Sequence, residues 1–389
     1  MKVPENYHGR EQAYVKHHLL KTYLERLFMI IGQSQSQIRY VDCFSGPWEE
    51  TDEKLKDTSI GISLEIIRKC REGLRKIGKN VTFQALFIEK DKKAFKKLET
   101  YLSESASPDV ITVARNGEFY DLRTHILEWC GPVDFTFFFI DPTGWKNVVE
   151  VSTLEQLLKR PNSEFLINFM YAFLLRTHTQ ESFQDDIKAI FGYVPDTNGL
   201  TPQEKEAYLI KLYRTQLKQI APVRGGRPRA VHVPILYPLK DRTLYHLVYL
   251  TRHAKGITVF MEESEKLERF QWQTREQAKQ ENRESRTKQL EFIFQAHDTQ
   301  QEKETDLEVF KSYWLKILST HPQQFGIERL ADMLEETGWF ESDLQVSFGE
   351  LAKQGRVENL DDKTKRRPKK FIHFEANHNQ GEHLMRIEE

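Results

Sequence analysis

The chain has 389 residues, with 57 Lys and Arg against 58 Asp and Glu for a net charge of −1, and 39% hydrophobic residues. At roughly 150 residues per domain this predicts two or three domains, and a balanced charge excludes a global field for nucleic acid, so any such binding must use a local patch. No apolar run approaches the roughly 18 residues of a membrane span, Met1 to Arg10 lacks the pattern of a secretory leader, and Cys43, Cys70 and Cys130 have neither disulfide-framework nor zinc-ligand spacing, which fits a reducing cytoplasm.

Residues 11–31 carry Tyr14, His18, Leu19, Tyr23, Leu27, Phe28 and Ile31 at steps of three and four, which predicts an amphipathic helix. His17 and His18 belong to it, and neighbours on a helix diverge by about 100°, unlike an i, i+4 metal pair, so no metal site is expected. Strand 39–44 follows, in Tyr40-Val-Asp-Cys-Phe-Ser-Gly-Pro-Trp48. Then come helix 59–75, strand 83–88 ending in Glu89, helix 91–102, strand 110–114, helix 120–129, strand 134–140 ending in Asp141, helix 152–160 and strand 164–170. This alternation predicts a doubly wound, mostly parallel α/β sheet. Ligands of such sheets bind beyond the carboxyl ends of the strands, so Asp42, Gly46, Glu89 and Asp141 should converge.

Residues 177–230 read as a polar, helical insertion that ends in Arg224-Gly-Gly-Arg-Pro-Arg229. Strands 230–236 and 244–251 form a hairpin, and a hairpin that closes a parallel sheet resembles the end of the class I methyltransferase sheet, whose last strand is antiparallel. The first domain is therefore expected to be 1–261. Residues 262–305 are dense in Glu, Lys, Arg and Gln and predict a solvated helical linker. The last domain, 306–389, shows helices 306–318, 326–337 and 341–354, then strands 355–359 and 370–374 as a hairpin, which is the pattern of a winged helix-turn-helix. Lys363, Lys365, Arg366, Arg367, Lys369 and Lys370 crowd the expected wing, where cations meet phosphates of DNA or RNA. Helix 341–354, in the recognition position, offers Asp343, Gln345, Ser347 and Glu350 more than arginine.

A nucleoside cofactor needs a loop that its backbone can approach and an acid at the next strand end to accept ribose hydroxyls. Gly46, Asp42 and Glu89 supply these, and Asn116 and Glu118, after the third strand, face the expected place of an adenine edge. No phosphate-binding G-x-x-x-x-G-K-[ST] loop occurs. A lone strand-end acid is as readily a helix cap, and Trp145 is as readily a cover for the sheet edge. Asp91-Lys92-Lys93 has the acid-x-Lys spacing of metal-dependent nucleases, against the plainer reading of a surface helix start.

Phe138-Phe-Ile-Asp-Pro-Thr-Gly-Trp145, Ser163-Glu-Phe-Leu-Ile-Asn-Phe-Met170 with Arg176, and Asp42-Cys-Phe-Ser-Gly-Pro47 together resemble the three-Cys-motif partner (TcmP) family over residues 11–265. That family resembles class I S-adenosylmethionine-dependent methyltransferases. The resemblance implies S-adenosylmethionine as cofactor, a neighbouring radical-enzyme-like protein as partner, and a C-terminal winged helix. By analogy with amino-methyltransferases, Asp141-Pro142 would accept hydrogen bonds from the target amine and Trp145 would stack on the base. Arg176, Arg224, Arg227 and Arg229 would meet phosphate. Members commonly carry a second glycine after the proline, where this chain has Trp48. Two readings follow: a methyltransferase acting on an exocyclic amine of nucleic acid, or a non-catalytic adaptor that keeps the fold, binds nucleic acid and serves a partner enzyme.

Overall fold

The computed structural model describes residues 3–46, 57–105, 110–142, 144, 148–177, 180–287, 300–362 and 371–387. They form two compact units, one of Met1–His253 with Lys266–Lys279 and one of Ala254–Glu265 with Gln280–Glu389. Among the described residues no helix is long and apolar enough to cross a membrane.

The first unit alternates α1 (Glu11–Ile31), β1 (Gln37–Asp42), α2 (Ser59–Lys76), β2 (Thr82–Glu89), α3 (Lys92–Glu104), β3 (Val110–Asn116), α4 (Phe119–Cys130), β4 (Phe135–Ile140), α5 (Val151–Leu158) and β5 (Ser163–Phe169). It continues with α6 (Tyr171–Thr177), α7 (Gln184–Phe191), α8 (Pro202–Ile220), β6 (Arg229–Leu236) and β7 (Thr243–Thr251), and it includes residues 266–279 of α9 (Ala254–Thr287). The seven strands stand in the order β3-β2-β1-β4-β5-β7-β6. β7 runs antiparallel to both β5 and β6, and the pairings among β1 to β5 are parallel. This is the class I methyltransferase sheet that the closing hairpin predicted. Helices on both faces bury it, so β4 reads Phe-Thr-Phe-Phe-Phe-Ile with all six residues buried rather than alternating. The chain builds outward from β1 to β3 and then returns to β4. The topological switch therefore lies between β1 and β4, paired through Asp42 and Phe139.

One buried acid fixes α1 on this sheet. Glu164, at the start of β5, accepts hydrogen bonds from Tyr249 Oη at 2.7 Å, Thr251 Oγ1 at 2.8 Å and Tyr23 Oη at 3.3 Å. Three donors offset the desolvation of a carboxyl that burial pushes above its ordinary range. Seven residues toward its start, about 10 Å along the axis, α1 delivers Lys16 and His17 to the carboxyl ends of the strands.

The segment expected as a solvated linker is different. Residues 266–279 of α9 pack on the first unit, with Leu267, Phe270, Gln271 and Thr274 buried. The Phe270 ring stacks on His18 at 3.8 Å, and Arg275 pairs with Asp241 at 2.5 Å. Of the scattered positions able to pack in this charged segment, Leu267 and Phe270 are buried and Trp272 is half exposed.

In the second unit α10 (Gln300–Ile317), β8 (Gln323–Phe325), α11 (Ile327–Thr337), α12 (Glu341–Lys353), β9 (Val357–Asn359) and β10 (Glu382–Arg386) form a winged helix-turn-helix with the small sheet β8-β10-β9. Trp314 is fully buried at its centre and donates to Leu344 O at 3.0 Å. The partner of β9 is β10, not residues 370–374. The amides of Phe371 and Ile372 are satisfied instead by Gln345 of α12, whose Oε1 accepts from both at 3.0 Å and whose Nε2 donates to Ile372 O at 2.7 Å, while Asn359 Nδ2 donates to Phe371 O at 2.8 Å. A side chain thus takes the place of a strand, which local pattern does not reveal.

Candidate active site at the strand ends

A cleft of about 900 Å³ opens over the carboxyl ends of β1, β4 and β5. Phe44, Gly46, Asp141, Pro142 and Asn168 form its floor, and Arg10, Lys16 and His17 from the N-terminal segment form a wall.

Asp42 ends β1 fully buried and faces the loop rather than the cleft. Its Oδ1 accepts from Phe44 N at 3.1 Å and its Oδ2 from Ser59 Oγ at 2.6 Å, so it braces the turn onto α2. Burial raises its pKa to about 6, with the Asp141 charge adding to the rise.

Gly46 lies directly against Glu89, and a Cβ at position 46 would collide with Glu89 Oε2. Glu89 is held from the other side by Asp91 N, which donates to Oε1 at 2.6 Å, and burial raises its pKa. Strand end and loop therefore meet, and any side chain at position 46 would have to displace the Glu89 carboxylate. Asp91 caps α3, accepting from Lys93 N at 2.9 Å and Ala94 N at 2.8 Å, so the residue weighed as a nuclease acid serves a helix start. Asn116 donates its amide to the carbonyls of Glu89 at 2.8 Å and Lys90 at 3.1 Å, and Glu118 is exposed beside Lys90 at 3.4 Å.

At the end of β4 the Asp141 carboxylate is held between two donors. Lys16 pairs with Oδ2, and Asn168 Nδ2 donates to Oδ1 at 2.7 Å. A carboxylate only accepts, so the Asn168 amide nitrogen must face it. Asn168 Oδ1 is then left buried without a hydrogen-bond partner among the described residues. An orphaned acceptor beside a carboxylate, both on the cleft floor, suits a ligand that brings N–H donors. Pro142 lines the floor beside them. Trp48 and Trp145 lie outside the described residues, as does the side chain of Arg176 in α6.

The arginines of the 224–229 loop do not join this site. The loop precedes β6, which is parallel to β5, so it lies at the amino edge of the sheet, opposite the cleft. Arg224 and Arg227 are exposed there, but Arg229 is 2% exposed at the start of β6 and is withdrawn from any phosphate surface. In the second unit Lys363, Lys365, Arg366, Arg367, Lys369 and Lys370 lie outside the described residues. Of the polar residues expected on the reading face of α12, Gln345 and Ser347 are buried, Asp343 caps the helix through Phe340 N at 2.9 Å, and Glu350 stays outward, paired with Lys353 at 2.7 Å.

Sequence reasoning missed Lys16 and His17 as cleft residues, and the buried Tyr7 behind them. Tyr7 Oη lies 3.0 Å from His17 Nδ1 and donates to Asp57 O at 3.1 Å. Among the described residues no group of three or more potential ligands could hold a metal ion.

Residues 275–364 match the family model described as the GMT-like wHTH domain. Among solved structures the chain is similar to a protein from Legionella pneumophila str. Philadelphia 1, at 9% identity and a TM-score of 0.34 over 61% of this chain and 85% of that one. It is also similar to the O-methyltransferase from Bacillus cereus in complex with SAH, at 14% identity and a TM-score of 0.33 over 60% of this chain and 80% of the other. Likenesses this loose carry no function, and the strand order is the stronger evidence of fold. No curated protein matches the sequence.

Proposed function

We propose that the chain is an S-adenosylmethionine-dependent methyltransferase whose acceptor is an exocyclic amine of a nucleic-acid base. The observation that carries this reading is the pair of acceptors on the cleft floor, Asp141 and the orphaned Asn168 Oδ1. An amine has two N–H groups to give, and a hydroxyl acceptor has one. The cofactor, when bound, supplies an electrophilic methyl group. Gly46 lets the backbone come close, and Glu89 beside it is the acid suited to ribose hydroxyls. Asn116 and Glu118 remain the candidates for the adenine edge, Asp42 holds the loop, and Trp145 is the candidate stacking ring. Nucleic acid is favoured by the winged helix and by the six cations between Lys363 and Lys370. With Gln345 and Ser347 buried and Glu350 acidic on α12, those cations rather than a recognition helix would carry the affinity.

The test is transfer of labelled methyl groups from S-adenosylmethionine to mixed DNA and RNA, with digestion to nucleosides to identify the product. Asp141→Ala should abolish product while cofactor affinity, read by calorimetry, stays nearly unchanged. Equal incorporation by wild type and variant would remove Asp141 from the reaction. The adaptor reading has one observation in its favour: Lys16 already occupies Asp141. Cofactor binding without transfer to any nucleic acid would select it.

A further inference from the structure

The proposed reaction must remove a proton from the amine, and Asp141, paired with Lys16 and bonded by Asn168, is already committed to holding the acceptor. We propose that His17, its own proton kept on Nδ1 by Tyr7, is the base that takes the amine proton; this rests on the reading of the cleft given above. The tautomer is set by where the Tyr7 hydrogen goes. A phenol has one, and Tyr7 gives it to Asp57 O, which can only accept. With that hydrogen on Asp57 O, the Tyr7 oxygen is the acceptor for His17 Nδ1, 3.0 Å away. Nε2 is left with its lone pair, on a ring that lines the cleft with Lys16 and Asp141.

The surroundings keep this imidazole neutral. Burial, then the Lys16 charge, and less strongly Arg10, lower its pKa to about 3, against the opposing influence of Asp141 and the Asp57 carbonyl. Such a base is always deprotonated near neutral pH, yet weak, and this weakness bears on the acceptor class. A methylated alkyl amine keeps its proton far more tightly than this imidazole can take it. An amine on an aromatic ring becomes a strong acid once alkylated and releases its proton to a weak base. The chemistry balances as follows. The amine lone pair forms the N–C bond as the C–S bond breaks and its electron pair stays on sulfur, which loses its positive charge. The N–H proton passes to His17 Nε2, which becomes imidazolium and later returns the proton to water.

The tautomer is read by nitrogen NMR of the full chain labelled at histidine. His17 should show protonated Nδ1 and bare Nε2, unchanged down to about pH 5, and Tyr7→Phe should give a tautomer mixture. A protonated Nε2 in the wild type would overturn the inference whatever the activity. The kinetic arm uses labelled S-adenosylmethionine with random-sequence single-stranded DNA, RNA and, separately, polylysine. His17→Gln should lower kcat by ~10²–10⁴-fold with KM and cofactor affinity unchanged, and Tyr7→Phe, acting as a positioning variant, by less. A wild-type kcat in His17→Gln would remove the base and leave the proposed function standing. Transfer to polylysine in preference to nucleic acid would overturn the aromatic acceptor. Absence of transfer by the wild type to all three would end both proposals, with calorimetry showing whether the cofactor had bound.

Discussion

Glu89 Oε2 occupies the space that a Cβ on Gly46 would need, so the loop after β1 and the end of β2 are in van der Waals contact through a residue with no side chain. Gly46→Ala should push the Glu89 carboxylate out and break its bond from Asp91 N. We expect at least tenfold weaker S-adenosylmethionine binding by calorimetry, with Glu89→Ala costing about 1–3 kcal/mol. Unchanged affinity in both variants would mean that the cofactor does not use this pair.

Asp42 makes stability depend on pH in a direction opposite to that of most carboxylates. Its pKa is about 6 when folded, against 3.8 for the free group. Between these values the native state holds a proton that the unfolded state has released. Stability therefore falls as pH rises through this window, by about 3 kcal/mol for this group. Urea denaturation of wild type and Asp42→Asn from about pH 4 to pH 7 isolates the effect. The wild-type advantage should shrink with rising pH, and a constant difference would contradict the assignment.

Gln345 acts as a surrogate strand in the second unit, so Gln345→Ala should leave the amides of Phe371 and Ile372 and the Ile372 carbonyl without it. Each buried orphan costs about 1–3 kcal/mol. Hydrogen exchange at Phe371 and Ile372 should rise by roughly a hundredfold, while amides of β1 and β4 keep their protection. Unaltered exchange at Phe371 would show that another group satisfies this backbone.

The basic run supplies the last prediction. Replacing Lys363, Arg366, Arg367 and Lys370 with neutral residues should flatten the dependence of log affinity on log salt for duplex DNA, by about 0.9 for every phosphate that these cations neutralise in the wild type. Fluorescence anisotropy at several salt concentrations gives the slope, and an unchanged slope would leave these residues as solvated charge.

The sequence by itself determined the sheet and its acidic rim. Runs such as Phe135 to Ile140 are apolar because both faces of a parallel strand are covered, and the acids follow because the chain leaves the core there. The Gly46–Glu89 meeting was legible for the same reason: strand ends in a doubly wound sheet converge by topology. Tertiary structure alone decided which partners these groups find. Lys16 and His17 reach the cleft because Tyr23 binds Glu164 on a strand some 140 residues away, and helical periodicity gives a face but no destination. Periodicity likewise left open that β10 rather than 370–374 pairs with β9, that Gln345 turns inward and that Arg229 is buried. In each case burial and hydrogen bonding are settled by residues distant in the chain, and no local pattern carries that information.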